Sequence, residues 1–277
     1  MLGEWLALLC ALPPLLLGLP IGSEAQPSSP PRMVQIPEGR FKSSLGPTPT
    51  AGKAEKESVI RSFFLDRYPV SNGEFLRFVK EHPRWQRDKA PRLLVDSAYL
   101  SHWQSPLALG HDVRPDQPAT QVSWFAARAF CEAAGNRLPT EDEWEFAAAA
   151  SETVADARQD SVWRQRILDW YAAPTPAQLP KIGRTAPNLY GVYDLHGLTW
   201  EWVLDFASTM MSGDSRDSGG SDRMLFCGAA AIGSGKKQDY ASFMRYAFRS
   251  SLRGRYGSRN LGFRCARDLS PPREDRP

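Results

Sequence analysis

The chain has 277 residues, 42% hydrophobic and 23% charged, enough apolar material for one large domain or two small ones. A formal net charge of +3 without a dense Lys/Arg stripe gives no electrostatic footprint for nucleic acid. No Rossmann glycine fingerprint, phosphate loop, C-x-x-C, H-E-x-x-H or G-x-S-x-G occurs, which excludes the commonest nucleotide, zinc and serine-hydrolase chemistries.

Residues 5–21 form an apolar run shorter than the roughly 20 residues of a comfortable membrane span. Ser23-Glu24-Ala25 follows as an A-x-A-like cleavage site. A signal peptide over residues 1–25 is therefore expected, with export to the periplasm or beyond and no membrane contact outside that segment. The flank before the run lacks Lys and Arg and carries Glu4, so an uncleaved anchor is the competing reading. Cys10 follows Leu9 rather than a small residue, against a lipoprotein signal. Residues 26–32 read as a Pro/Ser linker.

"MVQIPEGRF" alternates as a strand does, and Pro37 and Gly39 end it. Residues 43–58 are a polar loop, and "SVIRSFFLDRYPV" carries a second strand pattern. Ser71-Asn72 then caps a helix over "GEFLRFVKEH", with Phe75, Phe78 and Val79 as its buried stripe. After an irregular, Pro-rich 83–122, Ser123 caps a helix that Gly135 stops. Thr140 and Glu143 open the next as a capping box. "DSVWRQRILDWYA" carries helical character and "APTPAQLP" reads as linker. The last third brings "NLYGVYDLHGLTWEWVLD", a polar loop, a strand-like "MLFCGAAAI", "FMRYAFRSSL" read as a strand, and "NLGFRCARD". Short helices, short strands and much loop make an α+β chain. Three cysteines remain after cleavage, Cys131, Cys227 and Cys265, an odd count that predicts one disulfide and one leftover thiol.

"AGNRLPTEDEWEFAA", "NLYGVYDLHGLTWEWVLD" and "NLGFRCARD" resemble signature blocks of the formylglycine-generating enzyme, or sulfatase-modifying factor, superfamily. "MVQIPEGRF", "FFLDRYPVSNGEFLRFV" and "QPATQVSWFAARAFC" resemble its earlier blocks in the same order. The resemblance implies one domain over residues 33–268, with a tail at 269–277. It implies a C-type lectin-like variant fold, loop-rich and low in regular secondary structure.

The same resemblance implies calcium in the W-E-W loop, held by the side chains of Asp194 and Glu201 and by backbone oxygens of Gly197 and Thr199. Calcium takes six to eight hard oxygens, and two carboxylates on a tight Gly-containing loop can converge on one ion. The competing reading pairs Glu201 with a buried arginine such as Arg249 or Arg264. His196 is not a calcium ligand, and Leu198 stands where the family carries Asn. Tyr190, Tyr193, Trp200 and Trp202 read as core. The family pattern also implies a disulfide between Cys131 and Cys265, leaving Cys227 free.

Active family members oxidise a substrate cysteine to formylglycine with copper and oxygen, using two cysteines, because soft sulfur selects Cu(I). Alignment on "YAFRSSL" places Lys236 and Ala241 at those positions, and neither donates to Cu(I). Cys227, with Met210, Met211, Met224, Met244 and His196, is the alternative soft-donor set and Cys227 the candidate catalytic residue. His82, His102 and His111 read as surface residues without a carboxylate or cysteine partner. Exported relatives of this fold include accessory proteins. The expectation is an exported accessory or maturation factor acting on a client protein or peptide-like substrate. The rivals are an oxidase with an atypical copper site at Cys227 and a non-catalytic binding module.

Overall fold

The computed structural model describes residues 31–42, 57–206 and 240–269, apart from the side chain of Phe243. Residues 1–25, expected to be a signal peptide, most of the expected 43–58 loop, Lys236, Cys227, Met210, Met211, Met224 and the tail from residue 270 lie outside these residues. Glu57 and Ser58 belong to a strand rather than to that loop. Among the described residues no helix is long and apolar enough to cross a membrane.

The two strand patterns each resolve into two strands. β1 is Met33–Ile36, β2 Gly39–Lys42, β3 Glu57–Ile60 and β4 Phe63–Asp66. Pro37 carries no N–H for a ladder, which breaks the first pattern where its period would otherwise continue. β1 and β4 pair antiparallel, as do β2 and β3, with Ile36 opposite Phe63 and Gly39 opposite Ile60. β7 (Ala266–Asp268) adds to the far edge of β4, giving the sheet order β1-β4-β7. β5 (Trp200–Trp202) and β6 (Leu261–Phe263) form a separate parallel pair.

The helices start where their caps dictate. Ser71 and Glu74 complete a capping box on α1 (Asn72–Glu81). Ser123 caps α2 (Trp124–Ala133), whose stop at Gly135 uses a left-handed φ of 69°. Thr140 and Glu143 box the start of α3 (Glu141–Ala148), and Asp160 caps α4 (Ser161–Ala172).

One departure from the sequence reading matters for function. "FMRYAFRSSL" is not a strand but lies in α5 (Tyr240–Ser251). Arg245, Ala247 and Arg249 alternate with Tyr246 and Phe248, which imitates a period of two. The burial follows the helix instead: Ala241, Ser242, Arg245, Tyr246 and Arg249 are buried on one face. Glu141 and Glu145, one turn apart on α3, meet Arg249 and Arg245, one turn apart on α5. Tertiary charge pairing chose the period.

Two cores result. One packs α1 and α2 against β5, β6 and the irregular 95–122 segment through Phe75, Trp103, Trp202 and Phe263. The other lies under β1–β4 and α3, with Ile36, Leu65, Trp144 and Val203 at its centre. Cys131 and Cys265 form a disulfide that ties α2 to the joint between β6 and β7, with Cα atoms 5.6 Å apart.

Candidate functional site

The 188–205 stretch is a loop that turns through residues with left-handed backbone and then enters β5. Gly191, Asp194 and Gly197 have φ of 81°, 58° and 101°. Trp202 is fully buried, whereas Tyr190, Tyr193 and Trp200 are only half-buried. Trp200 stacks on Tyr171 at 4.8 Å and on Phe248 at 4.5 Å, beneath α4 and α5.

Asp194 and Glu201 are both buried, but each has its own set of partners. The Asp194 carboxylate accepts from the backbone N–H groups of Gly183, Arg184 and Thr185 and from the Thr185 hydroxyl. The Glu201 carboxylate accepts from Arg264 Nε and Nη2 at 2.7 and 2.8 Å, and from Trp144 Nε1 at 2.7 Å. Of the two arginines considered from sequence, Arg264 takes the side chain. On Glu201, Arg249 reaches only the backbone oxygen, at 3.4 Å. Gly197 lies between the two acids, and Thr199 is buried with its hydroxyl oxygen unpaired. No group of three His, Cys, Asp or Glu side chains suited to a metal occurs among the described residues. Each carboxylate already has donors on both of its oxygens, from separate partners, so this set does not fit a shared calcium ion.

Beside this loop lies a cluster that the sequence reading missed. Arg245 grips Glu145 through two bonds of 2.7 and 2.6 Å and donates to the Tyr171 hydroxyl and Ser242 Oγ. Arg249 donates to Glu145 at 2.9 Å and Glu141 at 3.3 Å, and lies 4.4 Å from the Trp144 ring centre. Burial alone would raise the Glu145 carboxyl, but the two guanidiniums outweigh it and hold it below the ordinary value. Burial pushes Glu141 up to about 8 against the pull of Arg249, with Glu145 and Asp205 adding repulsion. The acids lay inside a helix pattern and the arginines inside a supposed strand, so no sequence signal joined them.

Ala241 sits in an apolar pocket formed by Ala157, Trp163 and Ile167. Its methyl group offers nothing to copper, and the two cysteines among the described residues are both spent in the disulfide. The residues present therefore do not fit the family's copper site as aligned. Met244 lies on α5, while the other soft donors proposed with Cys227 fall outside the described residues.

The Nε2–H of His196 donates to the Ala148 carbonyl at 2.9 Å. Burial and then the Arg245 charge lower its pKa to about 3, so the ring stays neutral. His82 and His111 are exposed, as expected; His111 also lies 3.2 Å from the Asp112 carboxylate. His102 is not a surface group. Both its ring nitrogens are buried without partners, and burial brings it down to about 4. A cavity of about 330 Å³ opens between α4 and the 185–197 loop, walled by Trp163, Ile167, Trp170, Val192 and His196.

Small separate sheets, capped helices and long ordered connections define an α+β, loop-rich fold of the formylglycine-generating-enzyme type, with no closed barrel among the described residues. The chain belongs to that family: the Sulfatase-modifying factor enzyme 1-like domain matches residues 21–269. It is 29% identical to the formylglycine-generating enzyme of Thermomonospora curvata, over 85% of this chain and 93% of that one. It is equally 29% identical to the inactive C-alpha-formylglycine-generating enzyme 2 of Mus musculus, over 88% of each. A hercynine oxygenase of Mycolicibacterium smegmatis matches at 33% over 52% of this chain and 37% of its own length. Among solved structures, PvdO from Pseudomonas aeruginosa superposes with a TM-score of 0.47 at 19% identity, over 86% of this chain and 94% of that one.

Proposed function

We propose that this protein is an exported member of the family that assists the maturation of another exported protein and does not oxidise cysteine by the family's copper route. The observation that carries this reading is Ala241, a methyl group packed between Trp163 and Ile167 at a position where the copper chemistry needs a thiolate. The second aligned position, Lys236, carries an ammonium group that likewise cannot bind Cu(I). A relative named formylglycine-generating enzyme and one named inactive share the same 29% identity, so overall similarity does not choose between them. The local chemistry supports the reading without copper oxidation. The tryptophan-walled cavity beside α4 also supports a binding reading, in which the chain holds a client segment without transforming it.

The test is a Cys-x-Pro-x-Arg peptide incubated with the purified protein, copper and oxygen, followed by peptide mass spectrometry. The cysteine is expected to keep its sulfur. Turnover that Cys227→Ser abolishes would refute the proposal and make Cys227 the centre of a rearranged oxidase site.

A further inference from the structure

We propose that the W-E-W loop carries its own cation: the Arg264 guanidinium takes the Glu201 carboxylate that a calcium ion at this loop would need, within a cage of oxygens of its own. Arg264 is completely buried, and five oxygens surround it. Two belong to the Glu201 carboxylate, at 2.7 and 2.8 Å. Three are backbone carbonyls: Tyr193 at 2.9 Å, Asp66 at 3.1 Å and Arg67 at 3.5 Å. One carboxylate plus several carbonyls is the hard-oxygen set that calcium takes. Here a planar fork with five N–H donors fills it, and the paired bonds to Glu201 match the carboxylate geometry.

The donors around both acids oppose a second cation. Glu201 Oε2 also accepts from Trp144 Nε1. Asp194, the other acid on the loop, faces three N–H groups and a hydroxyl, and such a concavity of donors favours negative charge. An ion placed between the two acids would meet the positive ends of those N–H dipoles. An ion at Glu201 would have to expel a buried guanidinium that has no other partner of that quality. Each acid is neutralised separately, one by backbone and one by Arg264. Arg264 thereby joins the end of β6 to the carbonyls at the end of β4 and to the 188–205 loop, the work a structural ion does elsewhere.

The proposal is independent of what the protein does to its client, so metal content and thermal unfolding test it directly. Wild type purified from calcium-containing buffer should carry far less than one calcium per chain. Its melting temperature should move with neither chelator nor millimolar calcium. Arg264→Ala empties the cage; it should melt lower and recover part of the loss when calcium is added, because a ligand that binds only the folded state stabilises it. If Arg264→Ala does not accumulate as folded protein, Arg264→Lys replaces it. That variant keeps the charge but loses the fork, and should melt below wild type while remaining indifferent to chelator. Stoichiometric calcium in wild type, or a chelator-induced fall in its melting temperature, would overturn the proposal. So would a folded Arg264→Ala protein that ignores calcium, because those oxygens would then not form a cation cage.

Discussion

Removing the disulfide by the double substitution Cys131→Ala and Cys265→Ala opens the largest covalent loop available to the described part of the chain. The two cysteines are 134 residues apart. In the chain-entropy relation, releasing a closure of that length lowers stability by about 5 kcal/mol at 25 °C. Both residues are buried, at 0% and 1% exposure, so lost sulfur contacts add to the loss rather than offset it. Total stabilities of single domains run from about 5 to 15 kcal/mol, so the loss is a large share of what the fold possesses. Urea unfolding followed by tryptophan fluorescence and circular dichroism reads it. With a slope of about 2.5 kcal/mol per molar, the midpoint should fall by about 2 M. Cys227→Ala should leave the midpoint in place. A loss under about 1 kcal/mol in the double variant would refute the entropic reasoning. Peptide mapping that found Cys227 in the bridge would refute the pairing itself.

The buried cluster between α3 and α5 supplies two more predictions. Glu141 has a folded pKa of about 8 against an ordinary 4.5, so the folded state holds a proton that the unfolded chain releases. The stability this brings is complete below the unfolded value and is lost as pH rises through the folded one. Denaturation of wild type against Glu141→Gln, across about pH 5 to pH 9, should show wild type losing ground as pH rises, and a constant difference would refute the shift. Glu145→Ala leaves Arg245 with only hydroxyl hydrogen-bond partners, and Arg249 with Glu141 and the Glu201 backbone oxygen. Breaking a buried pair in this way costs about 3–5 kcal/mol. Loss of Glu152, whose partner Arg166 is exposed, should cost about 0.5 kcal/mol or less. Equal falls in melting temperature for the two variants would show that the cluster is not structurally special.

Much of the local architecture was legible because its causes are local. Ser71, Ser123 and Thr140 start their helices by accepting backbone N–H bonds within the next turn, and any reader of the sequence can find that spacing. Pro37 divides β1 from β2 for an equally local reason. The ordered blocks that mark the family were also readable, and with them the α+β fold and the pairing of Cys131 with Cys265. The candidate site was legible only in its residue list. Asp194 and Glu201 were found as acids on one loop, yet their partners come from residues 183–185 and from Arg264, which local spacing does not assign.

By itself, then, the sequence determined where the chain turns, caps and stops, which blocks it shares with its family, and that a methyl and an ammonium stand where that family's copper thiolates belong. Only the tertiary structure decided which charge meets which. Glu201 sits within reach of two arginines along the chain's own pattern, and burial beside Arg264 selected one of them. Likewise α5 reads as a strand until Glu141 and Glu145 are seen one turn apart across from it. The physical reason is common to both. Capping and turn energies act over three or four residues and are written in the local sequence. A buried charge is stable only when a distant part of the chain brings its partner, and that partner is known only once the chain has folded.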